Sequence, residues 1–185
     1  MKLMKELVRC SSPRVVAVLH NIRSVHNVGS IFRTADGAGI SKIYLCGITP
    51  TPVDRLRHPR KDFTKVSLGA ERTVLWEHAR SAASVLKKLK REGYILYAVE
   101  QSKNSQPYYK KQGITRKKSV ALILGNEVRG LPPSLLKLAD AVLEIPMHGF
   151  LVRHAHHPRH MGRGKESLNV AVAFGIVAYR LRHPQ

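Results

Sequence analysis

Residues 14–46 read RVVAVLHNIRSVHNVGSIFRTADGAGISKIYLC. The first seven form a short valine-rich apolar run, the pattern of a strand buried on both faces. Asn27 has the character of a helix N-cap. Residues 28–38 then place Ile31, Phe32 and Ala35 at helical spacing, and Gly39 ends the pattern. Residues 42–46 (KIYLC) read as the next strand. Strand, helix, strand in such close succession is the unit of an α/β fold with a mainly parallel sheet.

The same alternation runs outward from this unit. A loop holds Pro50, Pro52 and Pro59, with five lysines or arginines between positions 55 and 65. Residues 78–91 carry an amphipathic helix stopped by Gly93, and residues 94–99 (YILYAV) a strand. Residues 103–118 hold six lysines or arginines and no acid. Residues 119–124 (SVALIL) form another buried-type strand closing on Gly125. Pro132 and Pro133 suit the first turn of a helix, and residues 141–145 (AVLEI) a further strand. Residues 167–181 are helical in composition and apolar almost all round. A helix without a polar face must be covered on both sides. The sheet covers one side and a second subunit the other, so a homodimer is expected. No internal repeat is present, and the chain reads as one domain over residues 1–185.

Hydrophobic residues make up 43% of the 185, enough for a full core. The formal net charge is +20. A domain this basic usually meets a polyanion, so nucleic acid is the expected partner, set against a merely solvated cationic surface. The two cysteines, Cys10 and Cys46, are too far apart in sequence for a disulfide framework or a zinc knuckle. The start lacks the apolar run of a secretory signal, and no segment approaches the roughly 20 apolar residues of a membrane span. A cytoplasmic location is the expectation.

Three patches break the α/β pattern with polar residues and glycines at strand ends, where open α/β sheets bind ligands. In residues 21–39, a strand end is followed by Arg23 and His26, and a helix then carries Asn27 and Arg33. A helix start with nearby arginines suits a phosphate or a ribose, though a capped helix with an exposed arginine would look the same. Residues 124–131 (LGNEVRGL) set Glu127 and Arg129 in a turn between Gly125 and Gly130. Gly125 permits close backbone approach by a ligand. Neither a Walker loop nor GxGxxG occurs in the chain, which excludes the usual nucleotide and dinucleotide sites. Residues 166–169 (ESLN) lead into the last helix, where Ser167 and Asn169 can cap; capping alone explains one of them.

Taken together and in order, NVGSIFRTADGAG, LGNEVRGL with EIPMHG behind it, and SLNVAVAFGI resemble the three motifs of the SPOUT superfamily. The match is to its TrmH (SpoU) branch of RNA ribose 2′-O-methyltransferases, in the minimal single-domain form. The resemblance runs from about Val15 to Leu181. It implies a deep C-terminal trefoil knot, which periodicity gives no warrant for. It also implies a dimer, and S-adenosylmethionine held in the knot largely by main-chain groups. Carried onto this sequence, those contacts fall on Leu124, Gly125, Ile145, Met147, Ser167 and Leu168. Asn27, Arg33, Glu127, Ser167 and Asn169 match the family's functional polar positions.

The chemistry follows from the reactants. The sulfonium methyl is already electrophilic, whereas the ribose hydroxyl is almost wholly protonated. Alignment of oxygen, methyl and sulfur, and easing of the proton's departure, are what an enzyme must supply. An arginine is a poor base at neutral pH, so Arg33 is read as binding the ribose or its phosphate and stabilising developing alkoxide charge. Asn27 would orient Arg33 or the ribose, and Glu127 would hold Arg33 or the substrate. Arg23, His26, Arg55, Arg57, Arg60, Lys61 and Arg129 are the candidate RNA contacts. The RNA is tRNA or rRNA, with tRNA favoured because the minimal form resembles anticodon-loop enzymes.

Residues 150–164 (FLVRHAHHPRHMGRG) depart from the family pattern as a basic, histidine-rich insertion between Gly149 and Lys165. A metal site from His154, His156, His157 and His160 lacks carboxylates and cysteines. A basic RNA-contacting or disordered excursion is the preferred reading, and no metal is expected. The rival function is a non-catalytic RNA-binding protein on the same fold, such as a ribosome-assembly factor.

Overall fold

The computed structural model describes residues 13–110, 118–148 and 167–182. One sheet of seven strands organises them: β1 (Val15–His20), β2 (Lys42–Cys46), β3 (Leu75–Ala79), β4 (Ile95–Val99), β5 (Gln106–Pro107), β6 (Val120–Leu124) and β7 (Ala141–Glu144). Their spatial order is β3-β2-β1-β6-β4-β7-β5, and every ladder is parallel. The chain therefore starts mid-sheet and winds outward through β2 and β3. It then crosses to the other side, and β6 returns to fill the slot between β1 and β4.

The central strands are buried on both faces, which is why they read as unbroken apolar runs rather than alternating ones. In β1, Val15, Ala17 and Leu19 face one layer and Val16 and Val18 the other. The first layer holds α1 (Val25–Gly37), α2 (Lys61–Ser67), α3 (Ala70–Thr73) and α6 (Val170–Arg182). Its core is Ile31, Phe32, Phe63 and Phe174 against Leu122 and Leu124, with the rings of Phe32 and Phe63 edge to face at 5.2 Å. The second layer holds α4 (Ala82–Arg91) and α5 (Pro133–Leu136), through Leu86, Leu89 and Leu135. Complete burial of a leucine or phenylalanine is worth roughly 1.5–3 kcal/mol, so the doubly covered sheet centre is the rigid base for the strand ends above it.

Several boundaries differ from the sequence reading. The cap of α1 is Ser24, whose hydroxyl accepts from the Asn27 amide at 3.2 Å; Asn27 itself lies in the first turn. Gly39 does end this region, in a left-handed conformation (φ 66). The helix expected over residues 78–91 begins only at Ala82, capped by Ser81. Residues 75–79 pair with β2 instead, Lys42 opposite Leu75 and Cys46 opposite Ala79. This is an edge strand, largely exposed, so tertiary pairing decides it and no periodicity announces it. Residues 61–65, read as loop, open the first of two short helices, which bury Phe63 and Ala70. Pro133 opens α5 after the cap at Pro132, as expected. The last helix starts at Val170 rather than Ser167. It buries Phe174, Val177, Ala178 and Leu181, and leaves Val172 51% and Tyr179 46% exposed.

Cys46 is buried, and burial, with the Glu77 carboxylate nearby, pushes its thiol up to about 12. It is an inert core thiol; Cys10 lies outside the described residues. So do the insertion 150–164 and its four histidines. Among the described residues no helix is long and apolar enough to cross a membrane, and no group of three metal-ligating side chains occurs.

Candidate active site

A cavity of about 490 Å³ opens at the carboxyl ends of β4, β6 and β7. Its walls are Val99–Gln101 at the end of β4, Leu124 and Gly125 at the end of β6, and Leu143–Ile145 at the end of β7. Residues 167–170 at the start of α6 and Asn27 of α1 close it. It lies beside the point where the winding direction reverses, between β1 and β6. That is where the amide and carbonyl groups at strand ends diverge to leave a crevice.

Three segments distant in sequence are tied together at its mouth. The Asn27 side-chain amide donates to Glu127 Oε1 at 3.0 Å. The Asn169 amide donates to Asn27 Oδ1, also at 3.0 Å. Asn169 Oδ1 in turn accepts from the Ala171 amide at 2.9 Å, which makes Asn169 the cap of α6. The Glu127 carboxylate also accepts from the backbone amides of Arg23 and Ser24, each at 3.1 Å. Helix α1 has no acid in its own first turn, and Glu127 supplies that negative charge from the β6 loop. Partial burial alone would raise the Glu127 carboxyl above its ordinary value. The hydrogen bonds from Arg23, Asn27 and Ser24 outweigh burial and hold it below. Glu127 is thus a fixed anion that positions, and a poor proton acceptor.

The turn carrying Glu127 is held from within. Asn126 Oδ1 accepts from the amides of Val128 and Arg129 at 2.9 and 3.0 Å, while the Asn126 amide donates to the Asn21 carbonyl at 2.8 Å. Gly130 has φ 62, and the Glu100 carboxylate packs where a side chain would project while accepting from the Leu131 amide at 2.8 Å. Gly125 is required by close approach, but the approaching group is the chain's own backbone. A Cβ there would sit 2.5 Å from the Gly130 carbonyl carbon and 2.7 Å from the Leu131 nitrogen. Gly125→Ala is therefore expected to destabilise the fold by about 1–3 kcal/mol, an overpacking cost in a place where only backbone can yield. A melting temperature unchanged from the parent would show that this turn is free to move.

Of the candidate residues, Asn27, Leu124, Gly125, Glu127, Ile145, Ser167, Leu168 and Asn169 line this one cavity. Met147 does not. Arg33 is exposed on α1 and stands apart from the cavity wall. Six residues at about 100° each carry it roughly 240° around the helix from Asn27. Asn27, expected to orient Arg33 or the ribose, and Glu127, expected to hold Arg33 or the substrate, are bonded to each other, and Arg33 makes no hydrogen bond or ion pair with another described residue. Among the RNA candidates, Arg23, His26, Arg55, Arg57, Lys61 and Arg129 are exposed. Arg60 is committed to a two-point pair with Asp62, at 2.7 and 3.2 Å. The loop bearing Arg55 and Arg57 is folded, since Asp54 Oδ1 accepts from the amides of Leu56 and His58, both at 2.8 Å. Sequence reasoning missed Glu100 and Glu144, polar residues at the ends of buried strands.

The model of the SpoU rRNA methylase family matches residues 14–152. The tRNA (guanosine(18)-2′-O)-methyltransferase of Aquifex aeolicus is 25% identical over 97% of this chain and 74% of its own length. Among solved structures, an AdoMet-bound rRNA methyltransferase from Sinorhizobium meliloti superposes with a TM-score of 0.75 at 27% identity, over 92% of this chain and 56% of that one. A structure described under 2-OH methylation of C/U34 on tRNA superposes at 0.68 with 25% identity, over 91% of this chain and 94% of that one. The chain spans roughly half to three quarters of the length of the curated relatives it matches. With the matched segment covering β1 to β7 and the motif residues meeting in one cavity, the chain belongs to the SpoU rRNA methylase family.

Proposed function

We propose that this protein transfers a methyl group from S-adenosylmethionine to a ribose 2′-hydroxyl of RNA. The carrying observation is the Asn27–Glu127–Asn169 chain of hydrogen bonds, which brings the three sequence motifs to one cavity mouth. Relatives named as tRNA and rRNA 2′-O-methyltransferases, and a structural neighbour with AdoMet bound, support the reading.

The residues present suit the cofactor. A cavity of about 490 Å³ is within the usual range for a ligand of this size. Leu124, Leu143 and Ile145 offer apolar wall for an adenine ring, and strand-end amides and carbonyls offer its polar edge. When bound, the cofactor supplies an electrophilic methyl on sulfur. Asn27 and Asn169, each oriented by its neighbour, present amide groups where a ribose would enter. Ser167 offers a hydroxyl beside them. Arg33, exposed and unpaired among the described residues, is the proposed guanidinium that binds the ribose phosphate and offsets charge developing on the oxygen.

The segment 149–166 lies outside the described residues, and a trefoil knot through it is proposed on family resemblance. A homodimer is proposed from the outward apolar stripe of α6, with Val172 and Tyr179 half exposed. A tRNA substrate is favoured over rRNA, because the neighbour described under tRNA methylation matches over almost its whole length. The decisive experiment incubates the protein with methyl-labelled cofactor and separate pools of tRNA and rRNA, then maps the modified ribose. Label in tRNA at a 2′-hydroxyl is expected. Firm cofactor binding with no label in either pool would favour a non-catalytic RNA-binding role.

The exposed Arg55 and Arg57, in a chain of net charge +20, form the proposed entry surface for RNA phosphates. Affinity should fall steeply with salt. Replacing both by alanine should weaken binding uniformly across sequences and lower the slope of log K against log salt by about 2, roughly 1 for each arginine–phosphate pair removed. A slope equal to the parent's would place the phosphate-binding surface elsewhere.

A further inference from the structure

The cavity is an anionic place in a strongly cationic protein. Glu100, Glu127 and Glu144 line it, and no lysine, arginine or histidine does among the described residues. Two of these residues are neighbours in strand register. Val99 is the register partner of Leu143, and the Glu100 amide donates to the Leu143 carbonyl at 3.0 Å. Glu100 and Glu144 therefore follow at the same level of adjacent parallel strands, about 4.8 Å apart in backbone. Their carboxylates turn to opposite sides, Glu100 to the Leu131 amide beyond β6 and Glu144 to the Ser105 hydroxyl ahead of β5. The three carboxylates are not equally engaged. Glu127 accepts from three internal donors. Both Glu100 oxygens are used, by the amides of Leu131 and Gln101. Glu144 accepts only from the Ser105 hydroxyl, at 2.6 Å on Oε2, and among the described residues its other oxygen takes no hydrogen bond.

We propose that Glu144, with one carboxylate oxygen uncommitted in the cavity wall, is the group by which this cavity reads the positive charge of the methyl donor and prefers it to the neutral product. The inference rests on the cofactor reading of the cavity. S-adenosylmethionine carries a sulfonium, an ammonium and a carboxylate, net +1. Transfer forms the bond from ribose oxygen to methyl carbon and breaks the bond from that carbon to sulfur, whose electron pair stays on sulfur. The hydroxyl proton leaves to solvent. S-adenosylhomocysteine is then net zero, and the positive charge available to the Glu144 carboxylate is gone. The cavity holds the donor before transfer and favours release of the product after it. Glu144 acts here as a specificity residue for the charge of the ligand.

Calorimetry tests this with S-adenosylmethionine, S-adenosylhomocysteine and sinefungin, which carries an amine in place of the sulfonium methyl. The parent should bind the two cationic ligands more tightly than the product. Glu144→Gln keeps the shape and an acceptor for Ser105. It should cost S-adenosylmethionine and sinefungin about tenfold in affinity and the product less than about twofold. A melting temperature equal to the parent's checks the fold, and Ser105→Ala, which leaves the carboxylate in place, should retain the preference. Equal losses for donor and product, or no loss, overturn the inference while leaving the cofactor reading standing. A parent that binds none of the three overturns the cofactor reading and the inference with it.

Discussion

Arg33→Ala is expected to lower kcat for RNA methylation by about 10²–10³, the usual cost of removing one group that stabilises charge in a transition state. Its dissociation constant for S-adenosylmethionine should stay within about twofold of the parent's, a factor worth only about 0.4 kcal/mol. The two halves of this expectation have separate grounds. Arg33 stands apart from the cavity wall, so its removal leaves the cofactor's surroundings in this chain intact. It is exposed and bonded to no described neighbour, so its removal takes away no structural support either. A guanidinium left unpaired on the helix that also carries Asn27 is available to an anionic partner that arrives with the substrate. Arg33→Lys should recover part of the rate, because charge is kept and the two-pronged geometry is lost. Single-turnover rates with saturating cofactor make the measurement. Full activity of the alanine variant would remove Arg33 from the mechanism. A loss confined to KM for RNA would make it a binding residue alone.

What is legible in the sequence follows from what each element depends on. Strands β1, β2, β4, β6 and β7 are covered on both faces or nearly so, and burial of that kind writes itself as a run of valine, isoleucine and leucine. Strand β3 depends on one neighbour: Leu75, Glu77 and His78 stay exposed, and only the ladder to β2 makes it a strand. Helix α2 packs through Phe63 onto Phe32, a contact across 31 positions that local periodicity cannot register. The site shows the same division. The identities of Asn27, Glu127 and Asn169 stand out as polar residues at strand ends and helix starts. Their mutual contacts, across separations of 100 and 142 residues, do not. Hence the alternatives left open for these two, Arg33 or the ribose for Asn27 and Arg33 or the substrate for Glu127, when in the structure the two are bonded to each other. Glu100 and Glu144 do not stand out, because a carboxylate at the end of a buried strand reads as an ordinary solvated charge; only register sets them at the ends of neighbouring strands.

Glu127→Ala tests whether that mutual satisfaction matters to the reaction. It leaves the amides of Arg23 and Ser24 and the Asn27 side chain without their acceptor, and removes the acid that serves the start of α1. Because Glu127 is exposed, water can replace part of what is lost, so the stability cost should be only about 1–2 kcal/mol. The effect on methyl transfer should be larger, about 100-fold or more, since Asn27 loses its orientation and Asn169 is left bonded to a mobile partner, and small displacements of positioning groups cost heavily. Glu127→Gln should fall between, as one of the two acceptor oxygens becomes a donor. The pH dependence has a definite sign. The folded-state carboxyl is held below the ordinary value of 4.5. Its contribution is therefore complete above that value and is lost as pH falls through the lower folded-state one. In urea unfolding, the gap in stability between parent and Glu127→Gln should be open at pH 7 and shrink below about pH 4.5. Between about pH 6 and 8 the parent's rate profile should show no step from Glu127, which stays ionised throughout. A step that disappears in Glu127→Gln would instead make Glu127 the acceptor of the ribose proton, in conflict with three donors already pointed at its oxygens.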